Sequence, residues 1–186
     1  MRGQVTDMSA YLQSLEMMGN VHSFRPVDVP RITQLINKSN QFNLTTRRRT
    51  EGEVSVILED SSKTAFTVRL ADRFGDYGLI AVVIGEMAGK TLTVDTWLMS
   101  CRVLERQVEE ETLNELVLRA RELGAEQVRG IYLPTPKNNM VRDLYPRLGF
   151  RLDVDQEERL EFTLDLNNHT PPETHIQMQR EEIQHG

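Results

Sequence analysis

The sequence is poor in the features that mark whole classes of protein. It has one cysteine among 186 residues, Cys101. Neither an intramolecular disulfide nor a cysteine-rich metal site is therefore available, no metal is expected, and any role for Cys101 is that of a thiol. Long apolar runs are missing as well, since no stretch approaches the ~20 apolar residues of a membrane-spanning helix. The opening segment MRGQVTDMSAYLQ has no apolar signal core. The default expectation is a cytoplasmic protein without a membrane partner. Positive charge is scarce: 22 Lys and Arg against 28 Asp and Glu leave a net charge of -6. That balance argues against a nucleic-acid binder, because phosphate binding rests on clustered basic side chains. Arg47, Arg48 and Arg49 are the local exception.

What remains is the composition of a globular domain, 39% hydrophobic and 27% charged. The length fits one domain burying roughly two thirds of its unfolded surface. Met8, Tyr11, Leu12, Leu15 and Met18 recur at helical spacing and stop at Gly19, which predicts an amphipathic helix over 7–18 within an N-terminal segment 1–19. The main domain is expected over 20–166, opening with a strand at 21–27 and a helix capped by Asp28 with the stripe Val29, Ile32, Leu35, Ile36. Thr50 and Glu53 form a capping-box pattern for a helix reaching Leu58. The period then changes. Residues 64–72, 78–87 and 91–100 are β-branched and apolar, separated by turn signals, and predict an antiparallel meander. Leu113, Leu116, Val117, Ala120 and Leu123 mark the longest helix, from Val108 to a stop at Gly124. A strand at 127–133, a helix at 138–148 and one or two last strands follow. Residues 167–186, with Pro171 and Pro172, read as a C-terminal tail.

This order predicts an α/β fold whose sheet, mixed but mostly antiparallel, opens between two neighbouring strands and is flanked by helices. A helix following a central strand aims its first N–H groups into such an opening, where they suit a phosphate or a developing oxyanion. A cleft at that place is able to hold a pantetheine arm.

Four phrases, NQFNLTTRR (40–48), RLADRFGDYGLI (69–80), SCRVLERQVE (100–109) and YLPTPKNNMVRDLYPRLGF (132–150), resemble the C-terminal, GNAT-like half of FkbH-like proteins. The resemblance covers about residues 8–165. Such proteins join a HAD-type phosphatase domain to a GNAT-like acyltransferase domain and load a glyceryl unit from 1,3-bisphosphoglycerate onto an acyl carrier protein for polyketide extender units. The resemblance thus implies an acyl carrier protein and a HAD-type phosphatase domain or protein as partners. It implies no tightly bound cofactor, with carrier phosphopantetheine or a CoA thioester as substrate. The phosphatase half would carry an Asp-x-Asp pattern after a buried strand. Asp153-Val154-Asp155 has the letters but reads as a turn, so dephosphorylation is expected to lie elsewhere.

The resemblance also implies site residues. Cys101 is the candidate acyl acceptor, a thiol at a strand end beside Arg102, although a small buried residue closing the strand is the alternative. The stretch Arg102-Val103-Leu104-Glu105-Arg106-Gln107 aligns with the pyrophosphate loop of GNAT enzymes, with Glu105 and Gln107 at the glycine positions, which makes free acetyl-CoA a poor fit. Arg102, Val103, Arg106 and Gln107, together with Asn138 and Asn139, are the implied cofactor-binding residues. Tyr145 matches the tyrosine that protonates the leaving thiolate, with a helix residue packing near Leu144 and Phe150 as the alternative. Asn43, Thr45, Thr46, Arg47 and Arg48 are candidate contacts to a carrier or its phosphate, with a solvated basic turn as the alternative. No histidine lies near Cys101 in sequence: His22 falls on the first strand, and His169, His175 and His185 in the tail. Two activities stay open at this point, acyl transfer and a GNAT shell that only docks a carrier or phosphatase partner, with an ordinary N-acetyltransferase third.

Overall fold

A computed structural model describes residues 2–180, with side chains from residue 7 onward. Its helices are α1 (Arg2–Ser14), α2 (Val29–Lys38), α3 (Glu51–Glu59), α4 (Val108–Glu122) and α5 (Leu144–Arg147). The strands are β1 (Met18–Ser23), β2 (Lys63–Asp72), β3 (Gly75–Ala88), β4 (Thr91–Met99), β5 (Gln127–Tyr132), β6 (Arg151–Gln156), β7 (Arg159–Asp165) and β8 (Gln177–Arg180). All eight join one sheet in the order β6-β7-β5-β4-β3-β2-β1-β8. Neighbours run antiparallel except at β4–β5 and β1–β8, which are parallel.

Both faces of this sheet are covered. Along β3 the alternation of strand side chains sends Ala81 and Val83 into a core shared with Leu12 of α1 and Leu113, Leu116 and Val117 of α4. Val82 and Ile84 enter the opposite core, filled by Ile32 and Ile36 of α2 and Val54 and Ile57 of α3. The expected α/β architecture, a mostly antiparallel mixed sheet opened between two strands and flanked by helices, is the observed one. The Thr50 capping box forms as expected, with the Thr50 side chain accepting from the Glu53 N–H.

Several local expectations are corrected. The first helix ends at Ser14, not residue 18: Glu16 turns the chain with φ 52°, and Gly19 lies inside β1. Asp28 precedes α2 but makes no side-chain cap; its carboxylate accepts from Arg25 Nε at 2.8 Å and Arg69 Nη2 at 2.9 Å instead. Burial alone would raise the Asp28 pKa, but the two guanidinium groups outweigh it and hold the carboxyl below its usual value. Within the segment 167–186 read as a tail, residues 177–180 pair with 18–21 as β8, and 181–186 lie outside the described residues. The helix expected over 138–148 is broken into a 3-10 turn at Asn139–Val141 and the short α5. Asp153-Val154-Asp155 is part of β6 and not a turn.

Candidate active site

The sheet does open, and a β-bulge marks the place. β4 and β5 pair only where Thr91–Val94 meet Gln127–Gly130. The next residue, Asp95, is the extra one of a bulge, since the register against β3 jumps from Ile84↔Thr96 to Gly85↔Val94. A bulge increases local twist. Beyond it Trp97 and Met99 face the same core as Leu92 and Val94, and β4 leaves β5.

The opening is filled by the chain itself. Phe42, Asn43 and Leu44, buried at 3%, 0% and 0% exposure, lie between the parted strands, with Asn43 bridged to Leu98. Leu44 N–H donates to Trp97 O (3.1 Å), Met99 N–H to Phe42 O (3.1 Å), and Leu133 N–H to Leu44 O (2.8 Å). Asn138, expected to contact a pantetheine arm, is fully buried and fastens this wedge. Its Nδ2 donates to Asn43 O and to Leu133 O, both at 3.0 Å, and its Oδ1 accepts from Thr135 N–H at 2.8 Å. The expected carrier contacts are likewise spent internally. Asn43 Oδ1 accepts from the Thr45 and Thr46 N–H groups, and Thr45 Oγ1 donates to Asp95 O. Arg48 donates to Ile36 O, Ser39 O and Asn40 Oδ1, covering the last carbonyls of α2. Arg47 and Arg48 are both exposed, but Arg47 makes no hydrogen bond or ion pair among the described residues.

The segment aligned with a pyrophosphate loop has left-handed backbone at both positions aligned with its glycines. Glu105 and Gln107 have φ 62° and 66°, the left-handed region that favours glycine. Its side chains serve other ends. Val103 is fully buried, and Arg106 reaches the buried Asp72 carboxylate and the Tyr77 hydroxyl. Gln107 Oε1 accepts from His175 N–H at 2.8 Å, so the strand-bearing C-terminal segment straps this loop. Arg102 is exposed and bonds Ser100 Oγ and Tyr77 O; Asn139 is exposed on its 3-10 turn. The first turn of α4 carries Glu109, Glu110 and Glu111, which favour the helix dipole but oppose a phosphate.

Burial raises the pKa of Glu109 above its usual 4.5. For an acid raised by folding, the native state binds the proton more tightly, so stability is lost as pH rises through the folded-state value. Glu109→Gln is therefore expected to raise the urea midpoint at pH 7, with the gain shrinking towards pH 4. An equal midpoint at both pH values would contradict it.

Cys101 stands at the end of β4 on a 3-10 turn and is exposed, which removes the alternative of a buried strand-closing residue. Its Sγ lies 3.6 Å from Gln41 Oε1, at the edge of a cavity of about 760 Å³ walled by the end of α2, residues 39–42 and the Pro136-Lys137 turn. Lys38 and Lys137 are among its lining residues. These lysines and Gln41 were missed by the sequence reading because isolated polar residues on three separate segments form no pattern. No histidine lines the cavity; His185 lies outside the described residues.

Tyr145 is corrected from proton donor to core residue. It is 1% exposed, packed among Trp97, Phe150 and Phe162, and its hydroxyl has no partner among the described residues. Burial, helped by the nearby Asp95 charge, drives its pKa far above that of a free phenol, which leaves a weak acid with no path to a leaving sulfur.

No family model and no curated protein sequence matches the chain. Solved structures do. The GNAT domain of S. lividans PAT superposes with TM-score 0.62 at 14% identity, covering 78% of this chain and 89% of that one. The ribosomal-protein-S18-alanine N-acetyltransferase of Escherichia coli gives 0.60 at 14%, covering 80% and 94%. The PaiA N-acetyltransferase of Thermoplasma acidophilum, solved with coenzyme A, gives 0.64 at 10%, covering 79% and 98%. The chain has the GNAT acetyltransferase fold. Among the described residues no helix is long and apolar enough to cross a membrane.

Proposed function

We propose that this GNAT-fold domain is an acyltransferase that carries an acyl group as a thioester on Cys101 and passes it to the phosphopantetheine thiol of an acyl carrier protein. The observation that carries this reading is the exposed thiol at the edge of a cavity of ligand size. In the first step Sγ bonds to the donor's acyl carbon, the donor's own bond to that carbon breaks, and the leaving group departs with the proton that Cys101 gives up. In the second, the pantetheine sulfur takes the acyl carbon, the Cys101 thioester breaks, and the proton of the arriving thiol returns to Sγ. The likeness to FkbH-like proteins makes glyceryl the favoured acyl unit, polyketide extender-unit synthesis the setting, and a HAD-type phosphatase domain or protein the supplier.

A second reading, a docking module without chemistry, is favoured by the wedge of Phe42–Leu44, which occupies the opening that would otherwise admit a pantetheine arm. An acetyl-CoA-dependent N-acetyltransferase stands third, against Glu105, the acidic first turn of α4 and the same wedge. Intact-mass measurement after incubation with S-acetyl-N-acetylcysteamine separates them. One acetyl adduct is expected on the native chain and none on Cys101→Ala. An adduct that persists in Cys101→Ala removes the thiol from the mechanism, and no adduct on either chain leaves the docking reading.

A further inference from the structure

We infer that the arm of the acceptor reaches Cys101 from outside the sheet, through the cavity beside α2, with its phosphate held by Lys38 and Lys137, and not through the β4–β5 opening. This rests on the acyl-relay reading and adds the route and the residues that select a phosphorylated arm. The inner route is closed at each point where an arm would bind. Extended amides entering the opening would need the free edges of β4 and β5, yet Trp97 O, Met99 N–H and Leu133 N–H are all bonded to Phe42 and Leu44. A phosphate at the far end would meet the loop strapped by His175, and behind it Glu109 and Glu110, which line the space of about 520 Å³ over the start of α4. Glu105, Glu109 and Glu110 outnumber Arg147 in that space and repel the anion that a GNAT loop would attract.

The outer cavity has the opposite chemistry. It is larger, the Cys101 thiol lies on it, and among the described residues its charged lining is Lys38 and Lys137, with no carboxylate. Ser39, Asn40 and Gln41 add hydroxyl and amide groups able to bond the two amides of a pantetheine arm. The end of α2 would ordinarily repel an anion, because its last carbonyls carry the negative end of the helix dipole. Here the Arg48 guanidinium covers Ile36 O and Ser39 O and offsets that end. Lys38 and Lys137 come from different segments, the last turn of α2 and the turn after β5, and line the same cavity. A single phosphodiester suits two ammonium groups, each a compact charge with rotatable donors.

The test starts from chain acetylated at Cys101 and follows loss of the adduct by intact mass, with pantetheine or 4'-phosphopantetheine as acceptor. The phosphorylated acceptor is expected to react about tenfold faster than pantetheine at low salt, through its charge-assisted contacts. In the double variant Lys38→Ala, Lys137→Ala the two acceptors should react at the same rate, with pantetheine unchanged. Both lysines are exposed, so the fold is not at stake. A parallel variant, Glu109→Gln with Glu110→Gln, should leave the preference as it is. Equal rates for both acceptors on the native chain, or a preference that survives loss of the lysines, overturns the assignment. So does a phosphopantetheine rate that rises in the glutamine variant, which would put the phosphate at α4. Failure of the underlying relay looks different, for then no acetyl-Cys101 forms and there is nothing to follow.

Discussion

Asn138→Ala is expected to lower the stability of the domain by about 3 kcal/mol, because three backbone groups, one buried and two part-buried, lose their partner at once. Asn43 O, Leu133 O and Thr135 N–H each bond to this side chain, at 3.0, 3.0 and 2.8 Å, and the residue itself is 0% exposed. Water cannot replace the amide without entering the core. For a domain of this size such a loss lowers the melting temperature by roughly 10 °C. Asn138→Asp tests the same geometry from another side, since it keeps the acceptor for Thr135 but sets a carboxylate oxygen against two carbonyls; it should be no better than alanine. The local readout is hydrogen exchange. The amides of Leu44, Met99 and Leu133, which hold the wedge, should exchange faster in the variant than those of the β2–β3 ladder. A melting temperature within 2 °C of the native value would show that the wedge is fastened by something other than Asn138; that threshold is about the shift produced by ~1 kcal/mol.

That residue also shows what the sequence could and could not tell. The polar residues of NQFNLTTRR and YLPTPKNN read in the sequence as contacts to a carrier and to a pantetheine arm. In the fold the two phrases bind each other, Asn138 to Asn43 O. Sequence reveals that an amide is demanded at a position, but not whether its partner is a ligand or another segment 95 residues away. Local signals fared better. The Thr50–Glu53 box spans one turn and depends on nothing distant, and it formed. The meander was legible because its strands are adjacent and β-branched. β8 was not, since QMQR carries no alternation and its pairing with β1 joins opposite ends of the chain. Gly19 was read as a helix stop; its role is steric, as a Cβ there would lie 2.5 Å from Met178 Sδ on that unforeseen strand. For the site, a strand end suits a buried Cys101 as well as an exposed one, and the cavity beside it is built from three segments with no shared motif.

Tyr145 and Gly130 carry the last expectation. An added Cβ at Gly130 would come 2.4 Å from both Cε1 and Cζ of Tyr145, far inside van der Waals contact. The ring cannot swing away, because Phe150 and Phe162 hold it at centroid distances of 4.8 and 5.5 Å and Trp97 meets it edge-on at 5.9 Å. Gly130→Ala must therefore displace α5 or open β5 at the last pair before the sheet parts, and it should cost about 3 kcal/mol. Tyr145→Leu relieves the clash, so the double variant should be more stable than the sum of the single losses predicts, a coupling read from a double-mutant cycle. Tyr145→Phe separates packing from chemistry. It keeps the ring and removes only a buried hydroxyl without a partner, so stability should hold or rise by about 1 kcal/mol. Acyl transfer from Cys101 should be unchanged by it. A fall in transfer with stability intact would return Tyr145 to the reaction and require a path from that hydroxyl to the sulfur that the packing of the ring does not provide.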